Sequence, residues 1–314
     1  MRGDISNGRR SRRVEPPQQR HFPWWLTALA AIAVATAAPA QEPQEAAPAI
    51  QEAQSPPTLP EGCLAPAPCP VENGDYIVAP PPAWDGHSPL PAILFFHGAF
   101  NTARDTFDNS GLPQAAAQAG ALLILADGAN KNWSFPGKMS GPRDDFKYVN
   151  DVLDDAERRF PVDKANILAS GFSVGGSMTW SLACLQASRF RAFAAIAGAY
   201  WDPLPQSCPA GPVSLRHVHG TADKTVPMKG RSLRGGLYHQ GDVEESLRLV
   251  RARDGCVDEP DLLDEEDGLE CRTWSAKHCA SHREVKICLH PNDHMLQAQW
   301  VIDGFNWMKD LPRN

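Results

Sequence analysis

The pentapeptide Gly171-Phe172-Ser173-Val174-Gly175 follows an apolar run, Ile167-Leu168-Ala169, and precedes Gly176-Ser177-Met178. That order reads as a short strand, a tight turn and the start of a helix. A serine used as a nucleophile must stand clear of a sheet on such a turn, and the G-x-S-x-G spacing provides it. Glycine at 171 and 175 removes Cβ atoms that would collide with the neighbouring strand and helix. The new helix also turns its free N–H groups and positive end toward an oxygen that becomes anionic. The residues that follow, Met178-Thr179-Trp180-Ser181-Leu182-Ala183-Cys184-Leu185, predict a buried helix.

Serine is a weak nucleophile until a base takes its proton, and the base needs a carboxylate to orient it. After Ser173 the chain offers His219-Gly220-Thr221-Ala222-Asp223-Lys224-Thr225-Val226-Pro227. Asp223 falls just past an expected strand end, on the rim where open α/β sheets bind their ligands. For the base, Asn292-Asp293-His294 lies just past the last expected strand, and His290 is its rival. His290 precedes Pro291, which restricts it to extended backbone, whereas His294 has loop on both sides. Two backbone N–H donors would have to hold the oxyanion. Val174, directly after the serine, supplies one, and the loop after Phe96 supplies the other at Ala99 or Phe100.

The elements that must position these residues alternate along the chain. Short strands are expected at Tyr76–Val78, Pro91–Phe96, Ala121–Ala126, Ala192–Ala199, Ser214–Val218 and Val285–Leu289. Helices are expected at Gln114–Ala119, Asp144–Phe160, Val243–Arg253 and Gln299–Met308. Continuous apolar runs such as Ala92-Ile93-Leu94-Phe95-Phe96 suit strands buried on both faces. Strands separated by helices imply an α/β fold, a mostly parallel sheet with helices on both faces.

As a set, several pieces resemble the secreted poly(3-hydroxybutyrate) depolymerase and feruloyl/acetylxylan esterase branch of the α/β-hydrolases. They are Phe95-Phe96-His97-Gly98, Asp127-Gly128 followed by Trp133, Phe160-Pro161-Val162-Asp163, the serine turn through Met178, Leu182-Ala183-Cys184 and the stretch His219–Pro227. The likeness spans roughly Asp75 to Met308. It implies the α/β-hydrolase fold, a catalytic triad of Ser173, Asp223 and His294, and a place for Trp133 near the substrate cleft. It implies a serine esterase acting through an acyl-enzyme on hydroxyalkanoate oligomers or on feruloyl or acetyl esters of plant cell walls, with no cofactor. A non-catalytic polymer- or carbohydrate-binding protein on the same fold is the reading from another class. One departure stands out: the family's Gly-His followed by Trp-Pro is here Asp293-His294-Met295-Leu296.

Composition bounds the rest. The chain has 314 residues, 42% of them hydrophobic, and a formal net charge of −7. Residues 1–40 read as an export signal: Arg9, Arg10, Arg12, Arg13 and Arg20, then a mostly apolar run from Trp24 to Ala38, then Ala38-Pro39-Ala40 as a cleavage site. The apolar run is shorter than the roughly 20 residues a membrane span needs. Without those 40 residues, 24 basic and 35 acidic side chains remain, a net of −11. So acidic a protein is poorly suited to nucleic acid or an anionic membrane surface. Residues 41–62, rich in Pro, Ala, Gln and Glu, read as a disordered linker ahead of a catalytic domain at 63–314. These readings place the mature protein outside the cytoplasm, secreted or periplasmic.

Eight cysteines with no C-x-x-C pair exclude zinc spacing and favour disulfides. Cys63 and Cys69 close a small loop, and Cys184 is set to join Cys208. A hairpin of Cys271–Trp274 against Val285–Cys288 opposes Cys271 and Cys288, leaving Cys256 for Cys279. Nine acids between Asp254 and Glu270 lack the EF-hand pattern and read as a solvated loop rather than a metal site.

Overall fold

The computed structural model describes residues 63–138 and 141–312, so the signal segment and linker read in 1–62 lie outside the described residues. Among the described residues twelve strands and six α-helices are formed in chain order: β1 Cys69–Val71, β2 Gly74–Ala79, β3 Leu90–Phe96, α1 Ala103–Asn109, α2 Leu112–Gln118, β4 Leu122–Ala126, α3 Asp145–Arg159, β5 Val162–Phe172, α4 Val174–Leu185, β6 Ala192–Ile196, β7 Leu215–Gly220, β8 Arg231–Leu233, β9 Tyr238–Gln240, α5 Val243–Asp254, β10 Leu262–Glu266, β11 Leu269–Trp274, β12 Val285–His290 and α6 Ala298–Asp310. Ten strands make one sheet in the order β1-β2-β4-β3-β5-β6-β7-β12-β11-β10, and β8 and β9 pair separately. The six central strands, β4 to β12, run parallel, and the margins are antiparallel.

The apolar runs are continuous because both faces of the sheet are covered. Leu94 and Phe96 of β3 and Ile167 and Ala169 of β5 enter one core with Val149 of α3, Met178 of α4 and Leu247 of α5. Ile93, Phe95 and Leu168 enter the other with Leu112 of α2 and Phe305 of α6. Helix α3 starts where Asp144 caps the amides of Phe146 and Lys147, and α5 where Asp242 caps Glu244 and Glu245. Helix α4 is buried from Val174 to Cys184, so it is held by tertiary contact on every side.

Three features depart from the sequence reading. Residues 103–109 form a helix capped by Thr102, whose side chain accepts from Asp105 N. Residues 231–240 form the β8–β9 hairpin. Within the expected acidic loop, β10 pairs with β11 from Leu262↔Thr273 to Glu266↔Leu269. Its turn is Asp267-Gly268, both at positive φ (47° and 79°), the preferred two-residue hairpin chemistry. The acids that suggest a loop instead occupy an edge strand, where charge discourages further pairing.

The disulfides are Cys63–Cys69, Cys184–Cys208, Cys256–Cys279 and Cys271–Cys288. Among the described residues no helix is long and apolar enough to cross a membrane. Cys184–Cys208 ties the end of α4 to a loop 24 residues on. Replacing both cysteines by serine should cost about 3 kcal/mol through the freed unfolded chain. In a domain of this size that lowers the thermal midpoint by roughly 10 °C. An unchanged midpoint in scanning calorimetry would show that the crosslink contributes nothing.

Candidate active site

Strand β5 ends at Phe172 and α4 begins at Val174, with Ser173 alone between them at φ 59° and ψ −121°. A non-glycine residue so placed costs about 1–3 kcal/mol and persists only where its surroundings impose it. Here they do. Ser173 N donates to Ile196 O at 2.9 Å, and Ser173 O accepts from Ser177 N at 3.0 Å. The next turn of the helix presses on β3: a Cβ on Gly175 would lie 2.1 Å from Phe96 O. The loop leaving β3 touches the serine as well, since a Cβ on Gly98 would come within 3.5 Å of Ser173 Cβ.

Asp223 follows β7 in a tight turn. Its Oδ1 accepts from Thr225 N and Val226 N, each at 2.8 Å, and its Oδ2 faces His294 Nδ1 at 2.7 Å. Its side chain is buried. Burial alone would raise its pKa, but the His294 hydrogen bond, the Val226 amide and the nearby imidazoles hold it below the usual carboxylate value. An ionised Asp223 is acceptor only, so His294 Nδ1 carries a hydrogen toward it, and in the neutral ring Nε2 keeps its lone pair. The His294 ring lies 4.7 Å from that of Phe172, the residue before the serine. Asp293 joins the two loops: its Oδ1 accepts from Lys224 N and His294 N, at 2.9 and 2.7 Å.

His290 is placed differently. It is buried, stacked on Trp300 at 4.7 Å, and its Nδ1 accepts from Asn292 N. Burial lowers its pKa.

Among the candidate oxyanion donors, Val174 N in the first turn of α4 and Ala99 N have no backbone partner among the described residues. Phe100 N does: it donates to Lys131 O at 2.9 Å, which withdraws it as a candidate. The Phe100 side chain is 85% exposed beside this loop.

Trp133 also requires a correction. It is 1% exposed, wedged among Phe96, His97 and Tyr148, so no ring face is open to a substrate. Its Nε1 donates to His97 O at 2.8 Å, and it props the loop from behind. His97 completes the prop, accepting from Gly128 N at Nε2 and donating from Nδ1 to Gly98 O. The dipeptides His97-Gly98 and Asp127-Gly128 were the only sequence trace of that contact. A cavity of about 710 Å³ lies at the other end of β5 around Asp163, Asn166, Arg189 and Arg191 and takes no part in this arrangement.

No protein-family model matches the chain. It is 26% identical over 167 residues to feruloyl esterase C of Emericella nidulans, a match covering 51% of this chain and 58% of that protein. The chain thus spans little more than half the length of that relative. It is 25% identical over 233 residues to feruloyl esterase D of Neurospora crassa, covering 70% and 73%. Among solved structures, the acetyl xylan esterase from Aspergillus awamori aligns with a TM-score of 0.55 at 12% identity, covering 74% of this chain and 94% of that one. The fold is that of the α/β-hydrolases, and in sequence the chain is similar to feruloyl esterases.

The packing at Gly175 makes a prediction with a reversed sign. Glycine to alanine inside a helix ordinarily stabilises by about 1 kcal/mol. At Gly175 the added methyl would meet Phe96 O, so Gly175→Ala should destabilise by more than about 4 kcal/mol, the range of severe backbone clashes. A urea denaturation midpoint equal to or above wild type would refute the packing described here.

Proposed function

We propose that this chain is an exported serine esterase in which Ser173 is the nucleophile, His294 the general base and Asp223 the orienting acid. The observation that carries the reading is the 2.7 Å contact of Asp223 Oδ2 with His294 Nδ1, on a ring set against the serine turn. With its hydrogen on Nδ1, His294 presents Nε2 to take the Ser173 Oγ proton as Oγ bonds to the ester carbonyl carbon. The carbonyl oxygen becomes anionic against Val174 N–H and Ala99 N–H. Collapse expels the alcohol, which receives the proton from His294. Water then enters, gives a proton to His294 as it bonds to the acyl carbon, and the bond to Ser173 Oγ breaks as His294 returns that proton to Oγ, releasing the acid. No cofactor enters these steps.

For the substrate, the relatives' names favour a feruloyl or acetyl ester of plant cell-wall polysaccharide over hydroxyalkanoate oligomers. The exposed ring of Phe100 supports an aromatic acyl group, because it offers a flat apolar surface beside the oxyanion loop. Four disulfides suit an oxidising compartment outside the cytoplasm.

Ser173→Ala should lower turnover on p-nitrophenyl acetate by about a millionfold while the circular dichroism spectrum is kept. Retention within tenfold would overturn the assignment, and failure of the wild type to react with a fluorophosphonate probe would favour the non-catalytic binding reading. Asp223 stays ionised through mild acid because its carboxyl is held below the usual range. The acid side of the rate profile should therefore show no carboxylate step above about pH 4. Steady-state rates between pH 4 and 9 test this. On methyl ferulate, acetylated xylan and hydroxybutyrate oligomers, Phe100→Ala should raise KM severalfold for the ferulate alone. An equal effect on all three would remove Phe100 from acyl recognition.

A further inference from the structure

Two histidines of β7 lie behind Asp223 and are not used in the steps above. His217 and His219 are two residues apart on the strand, so both project from the same face, and both are fully buried. They form a chain. His217 Nδ1 lies 3.0 Å from Ala195 O, His217 Nε2 lies 2.9 Å from His219 Nδ1, and His219 Nε2 lies 2.8 Å from Val226 O. The carbonyls at the two ends only accept. Three contacts therefore ask for three hydrogens, and two neutral imidazoles carry two.

Burial lowers the pKa of both rings and keeps them neutral. One contact must go without a hydrogen, and Asp223 decides which. His219 Nε2 is 3.6 Å from Asp223 Oδ2 as well as 2.8 Å from Val226 O. A lone pair there would face an anion and a carbonyl oxygen together. The hydrogen of His219 therefore sits on Nε2, and Nδ1 is left to accept. A hydrogen on His217 Nδ1 would leave two ring lone pairs facing each other at 2.9 Å, whereas one on Nε2 reaches His219 Nδ1 and leaves a single lone pair, toward Ala195 O at the end far from Asp223. The other charged or titratable groups within electrostatic reach, His294 and His290 for His219 and Arg216 for His217, all disfavour a charged ring. From α4 the pair meets the indole of Trp180.

We propose that His217 and His219 are positioning residues for Asp223, a directed donor chain that clamps the Asp223–Val226 turn and so aims the carboxylate at His294. The loop of contacts closes: His219 holds Val226 by its carbonyl, and Val226 N–H holds Asp223 Oδ1. The proposal rests on the serine esterase reading for its effect on rate, though not for the hydrogen placement itself.

Long-range proton–nitrogen NMR of the histidine-labelled wild-type protein reads that placement directly. Both rings should be Nε2–H tautomers, and a hydrogen on His219 Nδ1 would overturn the proposal whether or not the protein hydrolyses esters. The rate is tested with His217→Phe, which fills the space without a donor, and His217→Gln, whose amide restores one. On p-nitrophenyl acetate, His217→Phe should lower kcat about tenfold, the scale of one lost buried hydrogen bond, with KM within twofold. His217→Gln should recover most of that loss. An unchanged kcat in a folded His217→Phe protein, or equal loss in both variants, would reduce the pair to core filling. If the wild type neither hydrolyses the ester nor binds a fluorophosphonate, the esterase reading fails instead, and the NMR result still stands for the pair.

Discussion

One close contact organises this end of the molecule: the approach of the Gly175 backbone to Phe96 O, the last carbonyl of β3. No side chain fits between them. Because α4 begins that near the sheet, the chain can leave β5 only through a turn that puts Ser173 at φ 59°. The same nearness brings the loop after β3 toward the serine, where Gly98 leaves room beside Ser173 and Phe172. The proposed nucleophile and both proposed oxyanion donors thus follow from one packing constraint. The G-x-S-x-G pattern is its trace in the sequence.

The proposed acid and base come from a second, independent consequence of the sheet order. Strands β7 and β12 are parallel neighbours, with His219 beside Leu289 and Gly220 beside His290. The loops that leave them emerge side by side, although some seventy residues separate Asp223 from His294. Side-by-side loops are not enough to fix a 2.7 Å contact. Asp293 does that by taking amides from both loops into one carboxylate oxygen. The cost of ordering these loops is thereby carried by backbone hydrogen bonds, so the Asp223–His294 pair need not supply it.

How much of this could be read from the residues depended on the range of the signal. The serine turn, the buried helix after it and the order of strands were legible, since each rests on local pattern and period. The β10–β11 hairpin was hidden by composition: nine acids outweighed the two-residue signal of Asp267-Gly268. Trp133 was misplaced because a tryptophan near a cleft and a tryptophan under it look alike in sequence. Only the bond from its Nε1 to His97 O separates them. The Phe100 amide was lost for the same reason, its acceptor at Lys131 belonging to a distant loop. The His217–His219 chain left no local sign, because its two ends, Ala195 and Val226, come from a neighbouring strand and a following turn.

The choice between His290 and His294 shows how a role follows from what a side chain has left to offer. They are four residues apart beside the same strand, and order along the chain does not divide them. His290 has spent its ring on the fold. One face lies on Trp300 of α6, Nδ1 accepts from Asn292, and burial lowers its pKa. Swinging it toward Ser173 would open a gap against α6 and leave an amide unpaired, each a loss on the order of 1 kcal/mol or more. His294 has spent one nitrogen only. Nδ1 is committed to Asp223, and Nε2 has no partner among the described side chains. A general base needs one nitrogen held and the other free. The same test selects Ala99 over Phe100 as a donor, since the Phe100 hydrogen is already given to Lys131 O. In both cases the residue proposed for chemistry is the one that the fold has left with an unused hydrogen-bonding group.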